Sequence, residues 1–153
     1  MPAPKPKRFE YAVAVDTAGA LRAEGGPPIR PGNEWSPDHL LLAGLVTCVL
    51  ESLAYHARRA GIEAAGSGTA RGVVTKREQD GRYAFVEIGA ELDLTLTPQP
   101  GGDALDELLA KAERNCFVGA SLTVTPRYRW TVGGRPVERG SAEATGSRGC
   151  ATP

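Results

Sequence analysis

The chain has 153 residues, 41% hydrophobic and 24% charged, and its 18 Lys+Arg balance 18 Asp+Glu to a formal net charge of zero. This composition fits one globular domain, and the missing basic excess argues against DNA or RNA as a partner. The longest apolar run, Leu40 to Leu50, is interrupted by Gly44 and Thr47; it falls well short of the roughly 20 residues of a membrane-spanning helix, so no membrane segment is expected.

Residues 1–7 are rich in Pro and Lys. They are expected to form a flexible N-terminus, and they lack the apolar stretch of a secretory signal. A cytoplasmic location is therefore expected, where thiols stay reduced. Phe9, Tyr11, Val13 and Val15 alternate with Arg8, Glu10, Ala12 and Ala14, which predicts a strand. Asp16 to Gly19 reads as a turn, Ala20 to Glu24 as a returning strand, and Gly25 to Asn33 as a loop. Ser36 suits a helix N-cap and Pro37 the first helical position. Leu41, Leu45, Val49 and Leu53 follow, flanked by Leu42, Val46 and Leu50. So wide an apolar stripe predicts a long central helix buried on most sides. Arg58, Arg59 and Gly61 close it.

Ser67 to Glu78 reads as a strand and Gln79-Asp80-Gly81 as its turn. From Tyr83 the alternation is strict, with Val86, Ile88, Ala90, Leu92, Leu94 and Leu96 on one face and Glu87, Glu91, Asp93, Thr95 and Thr97 on the other. One wet face is the mark of an antiparallel sheet. Pro98 and Pro100 stop this strand. Asp103 is the expected N-cap of a second, shorter helix carrying Leu105, Leu108, Leu109 and Ala112 and ending near Asn115. Leu122 to Val132 reads as a last strand despite Pro126. The domain is thus placed at residues 8–132, with residues 133–153 a poorly ordered tail. The order β-β-helix-β-β-helix-β with short connections predicts an α+β fold with a largely antiparallel sheet.

Three cysteines, Cys48, Cys116 and Cys150, are too few and too far apart for a disulfide scaffold. His39 and His56 are the only histidines and form no metal-ligand spacing. His39 reads as a solvated side chain in the first turn of its helix. No Gly-x-Ser-x-Gly turn, dinucleotide fingerprint or P-loop is present, so neither a metal nor an organic cofactor is expected. Cys48 lies mid-helix and Cys116 just past the second helix, 68 residues later. Each residue alone fits either a small buried hydrophobe or a reactive thiol. Cys150 sits in the tail.

The segment Ser36-Pro-Asp-His-Leu-Leu-Leu-Ala-Gly-Leu-Val-Thr-Cys48 resembles the central-helix motif of the OsmC/Ohr family of thiol peroxidases, which typically reads Asn-Pro-Glu-Glu-Leu-Leu, a small-residue run and then Cys. Asn115-Cys-Phe-Val-Gly-Ala-Ser-Leu122 resembles the second motif, with Phe117 where the family usually has proline. The element order resembles the family fold over roughly residues 8 to 132.

The resemblance implies that Cys48 is the peroxidatic thiol, oxidised by an organic hydroperoxide to a sulfenic acid, and that Cys116 resolves it as a disulfide. An external thiol or dithiol then restores both thiols. The family also sets an arginine and a carboxylate beside the reactive thiol. A guanidinium favours the thiolate, and the carboxylate holds the guanidinium. Asp38 stands at the carboxylate position, where the family usually has the longer Glu. Arg30 is preferred for the arginine, with Arg22 as the alternative. The resemblance also implies an intertwined homodimer. Two other functions stay open: an OsmC-like domain that senses oxidants or binds ligands without turnover, and a structural dimerisation module with two buried cysteines.

Overall fold

The computed structural model describes residues 1–139, so Cys150 and residues 140–153 of the tail expected at 133–153 lie outside the described residues. The chain divides into two compact units, residues 1–40 and residue 41 onward. In the first, β1 (Val13–Val15) pairs antiparallel with β2 (Leu21–Ala23), Val15 opposite Leu21 and Val13 opposite Ala23. Asp16 shapes the turn: its carboxylate accepts from the Ala18 and Ala20 amides, and Gly19 takes a φ of +78°. Strand β1 is shorter than the alternation from Phe9 predicts. The residue after Glu24 is Gly25 at φ +73°, which turns the chain away before a partner for Tyr11 is reached.

Helix α1 (Pro37–Arg59) starts where Ser36 and Pro37 place it. His39 is not merely solvated. The Ser36 hydroxyl accepts from the His39 amide at 3.3 Å, and His39 Nδ1 accepts from the Ser36 amide at 3.0 Å. This is the reciprocal bonding of a capping box, with imidazole in the role of the usual Glu or Gln. Along the helix Leu45, Val49, Leu53 and Ala57 are fully buried, one stripe four residues apart. Other apolar residues of the helix, among them Leu41, Leu42, Val46 and Leu50, are only partly buried, a narrower burial than the sequence suggests. The helix is also long and apolar enough, by length and composition, to cross a membrane, with 22% of the relevant window buried. That corrects the reading of the Leu40–Leu50 run alone, because the apolar stretch continues past Glu51 through Leu53, Ala54 and Ala57.

Strands β3 (Glu63–Lys76), β4 (Tyr83–Thr97), β5 (Arg127–Val132) and β6 (Arg135–Pro136) form one sheet in that order. Ile88, Ala90, Leu92, Leu94 and Leu96 of β4 join Trp130 and Val132 of β5 in the core with the α1 stripe. Val86 departs from this face. A bulge sets Val73 opposite Glu87 and Val74 opposite Phe85, so the alternation slips by one and Phe85 packs inward. Glycine brings α1 close to the sheet: a Cβ on Gly66 would stand 2.9 Å from Leu50, and one on Gly68 would stand 3.1 Å from Val46.

The β4–β5 pair is parallel, which the short-turn reading did not foresee. The connection from β4 runs through α2 (Gly102–Arg114) and a one-turn α3 (Phe117–Ala120), a crossover that delivers β5 in the same direction. Gly101, with extended backbone, is the N-cap of α2, and Asp103 lies in its first turn. Residues 122–126 precede the strand, because Pro126 has no amide to donate to a ladder. Gly133 and Gly134, both at positive φ, then turn the chain into β6.

Candidate functional site: a thiol pair between the central helix and a one-turn helix

Cys48 stands between the buried Leu45 and Val49 on α1 and is half-buried itself. Cys116 is the N-cap of α3 and is 0% exposed. Its position follows from local chemistry. Helix α2 ends at Arg114, Asn115 is its C-cap, and the extended Cys116 backbone starts the next turn, whose Gly119 amide donates to Cys116 Sγ at 3.4 Å.

The two thiols, 68 residues apart in sequence, are close enough in the fold for one to perturb the other. Burial pushes the Cys116 thiol up to about 11; the amides of Gly119 and Val118 work against that rise, and the adjacent Cys48 adds to it.

A third group completes the site. The Tyr128 hydroxyl, from β5, lies close to the Cys116 sulfur. Gly119 leaves room for this contact: a Cβ there would lie 2.7 Å from the tyrosine oxygen and 3.4 Å from Cys116 Sγ. Burial of Tyr128, then the neighbouring Cys116 and Glu113, raise its pKa. The ring stacks on Trp130, whose indole N–H donates to Glu113 at 2.7 Å. Arg139 pairs with the same carboxylate. Beside the thiols, the Asn115 amide donates to His56 Nε2 at 3.0 Å and ties α1 to the end of α2. The His56 pKa is lowered, by burial first and then by Lys111 and Arg59.

Sequence reasoning did not single out Tyr128, Gly119 or His56 for the site. Tyr128 was one residue of an alternating strand, and nothing local tells which loop its hydroxyl meets. Of the other expected site residues, Arg22 lies on β2 and Arg30 just past the Leu21–Ile29 bridge, both in the first unit. Among the described residues, neither they nor Asp38 makes an ion pair. Helix α1 is unbroken, so Asp38 and Cys48 are ~15 Å apart along its axis. The helix does not bring them together within one chain.

The sequence model of the OsmC-like protein family matches residues 30–130. The chain belongs to the OsmC-like family. Solved structures agree on the fold. An OsmC-like protein of unknown function from Vibrio cholerae superposes with a TM-score of 0.70 at 15% identity, over 80% of this chain and 99% of that one. An OsmC-like protein from Mycoplasma pneumoniae gives 0.61 at 17%, over 84% and 99%. An organic hydroperoxide resistance protein from Legionella pneumophila gives 0.56 at 17%, over 83% and 98%. No curated protein matches the sequence.

Proposed function

We propose that this OsmC-like protein is a cysteine-based peroxidase that reduces organic hydroperoxides. The observation that carries the reading is the nearness of Cys116 to Cys48 and its helix, with Leu45 of α1 and Cys116 Sγ both bordering Gly119. The Cys48 thiolate attacks the terminal oxygen of ROOH, the O–O bond breaks, ROH leaves and Cys48 becomes a sulfenic acid. The Cys116 thiol then attacks that sulfur, water leaves and a disulfide forms. An external dithiol returns both cysteines to thiols and is itself oxidised to a disulfide. The apolar composition of α1 on either side of Cys48 supports alkyl or lipid hydroperoxides over hydrogen peroxide as substrates. The cytosol is the compartment we assign, since it keeps such a pair reduced between turnovers.

Peptide mapping without reductant, after one equivalent of cumene hydroperoxide, is expected to recover a Cys48–Cys116 bridge, and dihydrolipoamide is expected to sustain turnover. Cys48 left free with Cys150 linked instead would refute the reading. Oxidation without turnover would leave a sensor.

We further propose a homodimer in which Asp38, with Arg30 or Arg22, serves Cys48 of the second chain. The ~15 Å along α1 excludes help within one chain, and the half-covered apolar surface of α1 supplies a face for pairing. Mixed dimers of Asp38→Ala and Cys48→Ser chains have one intact site if the carboxylate acts in trans. They are expected to regain activity, and verified mixed dimers that stay inactive would remove Asp38 from this role.

A further inference from the structure

The reductive half of the cycle poses a directional question, because a disulfide offers two sulfurs to an incoming thiolate. Cys116 is 0% exposed, beneath α3, whereas Cys48 is half-buried on α1. An attacking thiolate needs access to one sulfur, and the other must leave. Access selects Cys48 for attack, so Cys116 is the leaving group. Its setting is a poor one for a leaving thiolate: burial disfavours the charged sulfur, and high-pKa thiols leave slowly. Two donors offset this. One is the Gly119 amide, 3.4 Å from Cys116 Sγ. The other is the Tyr128 hydroxyl, which faces the sulfur across the space that a side chain at position 119 would fill: a Cβ there would lie 2.7 Å from the tyrosine oxygen and 3.4 Å from Cys116 Sγ.

We propose that an external dithiol opens the Cys48–Cys116 disulfide by attacking Cys48, and that Tyr128 is the hydrogen-bond donor that stabilises the departing Cys116 sulfur. The inference rests on the reading of these two cysteines as a redox pair. In the first step the reductant thiolate forms a bond to Cys48 Sγ, the S–S bond breaks, and its electron pair goes to Cys116. That thiolate is held by the Tyr128 O–H and the Gly119 N–H until it takes a proton. In the second step the remaining thiol of the dithiol, as its thiolate, attacks its own sulfur bonded to Cys48. The reductant closes as an intramolecular disulfide and the Cys48 thiolate is released.

The test starts from disulfide made with diamide, so it does not depend on any reaction with a peroxide. The oxidised chain is mixed with excess 2-mercaptoethanol, quenched in acid and mapped by mass spectrometry. The adduct is expected on Cys48, with Cys116 free; an adduct on Cys116 would overturn the proposal. In parallel, the reduction rate by dihydrolipoamide is measured for Tyr128→Phe and for the exposed control Tyr83→Phe. Hydrogen bonds to charged groups set the scale, and Tyr128→Phe is expected to be slower by about tenfold to hundredfold, with Tyr83→Phe at the wild-type rate. A wild-type rate in Tyr128→Phe, or failure of diamide to link the two cysteines, would also overturn it. A chain that forms and opens this disulfide but consumes no hydroperoxide would refute the peroxidase reading alone.

Discussion

The two sulfurs sit in neighbourhoods of opposite kind. Cys48 is held by a 23-residue helix whose backbone groups are bonded to one another, so its thiol is positioned by the helix and by packing against the core. Cys116 is held by a cap: an extended residue between two helices, fully buried, with the Gly119 amide donating to its sulfur and the Tyr128 hydroxyl close by. A rigid, partly accessible thiol suits the encounter with a substrate. A buried thiol with donors suits receiving and releasing one bond. The difference between the surroundings, rather than either cysteine alone, supports a division of labour between attack and resolution.

The largest effects should come from deleting either partner. Cys48→Ser is expected to abolish turnover, because the thiol that remains, Cys116, is fully buried and kept protonated by its raised pKa. Cys116→Ser is expected to keep a single rapid oxidation, with a sulfenic acid that dimedone traps, and to lose the disulfide. Stopped-flow consumption of cumene hydroperoxide by each variant measures the contrast. Equal first-turnover rates would show that the roles are not divided as proposed.

The two neighbourhoods also differed in how well they could be read from the sequence. Everything around Cys48 is local and periodic: the Ser36–Pro37 start, the four-residue spacing from Leu45 to Ala57, and the Arg58–Gly61 end. The alternation of β4 was equally plain down to Ile88, and failed only at Val86, where a bulge added one residue that no composition rule announces. The surroundings of Cys116 are non-local. The parallel placement of β5 against β4 carries Tyr128 to the sulfur, and the crossover that makes it parallel includes a four-residue helix too short for any periodicity to reveal. Pairing of the two cysteine motifs came from family resemblance. Their contact is a product of the tertiary fold, which the spacing of 68 residues does not encode.

An intermediate effect is expected under Cys48. Val46 lies over Gly68 of β3, and a Cβ at Gly68 would meet Leu92 Cδ1 at 2.6 Å, the Glu91 carbonyl oxygen at 3.0 Å and Val46 Cγ1 at 3.1 Å. Leu92 can rotate, but a backbone carbonyl in a paired strand cannot move freely. Gly68→Ala should therefore lift α1 from the sheet and cost about 1–3 kcal/mol in urea unfolding. Gly102→Ala, at the start of α2 with nothing within 4 Å of the added carbon, should stay within about 0.5 kcal/mol of wild type. Equal losses in both variants would mean that close approach of helix and sheet is not what Gly68 provides.

The smallest effect concerns the link between the two neighbourhoods. His56 lies two helical turns beyond Cys48, and its Nε2 accepts a hydrogen bond from Asn115, the residue before Cys116. A protonated imidazole has no lone pair at Nε2 and would lose that bond. The fold thus favours neutral His56, and burial with nearby Lys111 and Arg59 lowers its pKa below the ordinary 6.5. The sign follows by linkage. Below about pH 6.5 the unfolded chain takes up a proton that the folded chain refuses until its own lower pKa is reached, so stability is complete above this window and falls as pH drops through it. His56→Gln cannot titrate, yet its side-chain amide can still accept from Asn115. Its stability should therefore decline less than that of wild type between about pH 7.5 and pH 5. Urea midpoints of both proteins across that range measure the difference, in which the carboxylates common to the two cancel. Parallel profiles would show that the His56–Asn115 bond does not couple protonation to the packing of α1 against the end of α2.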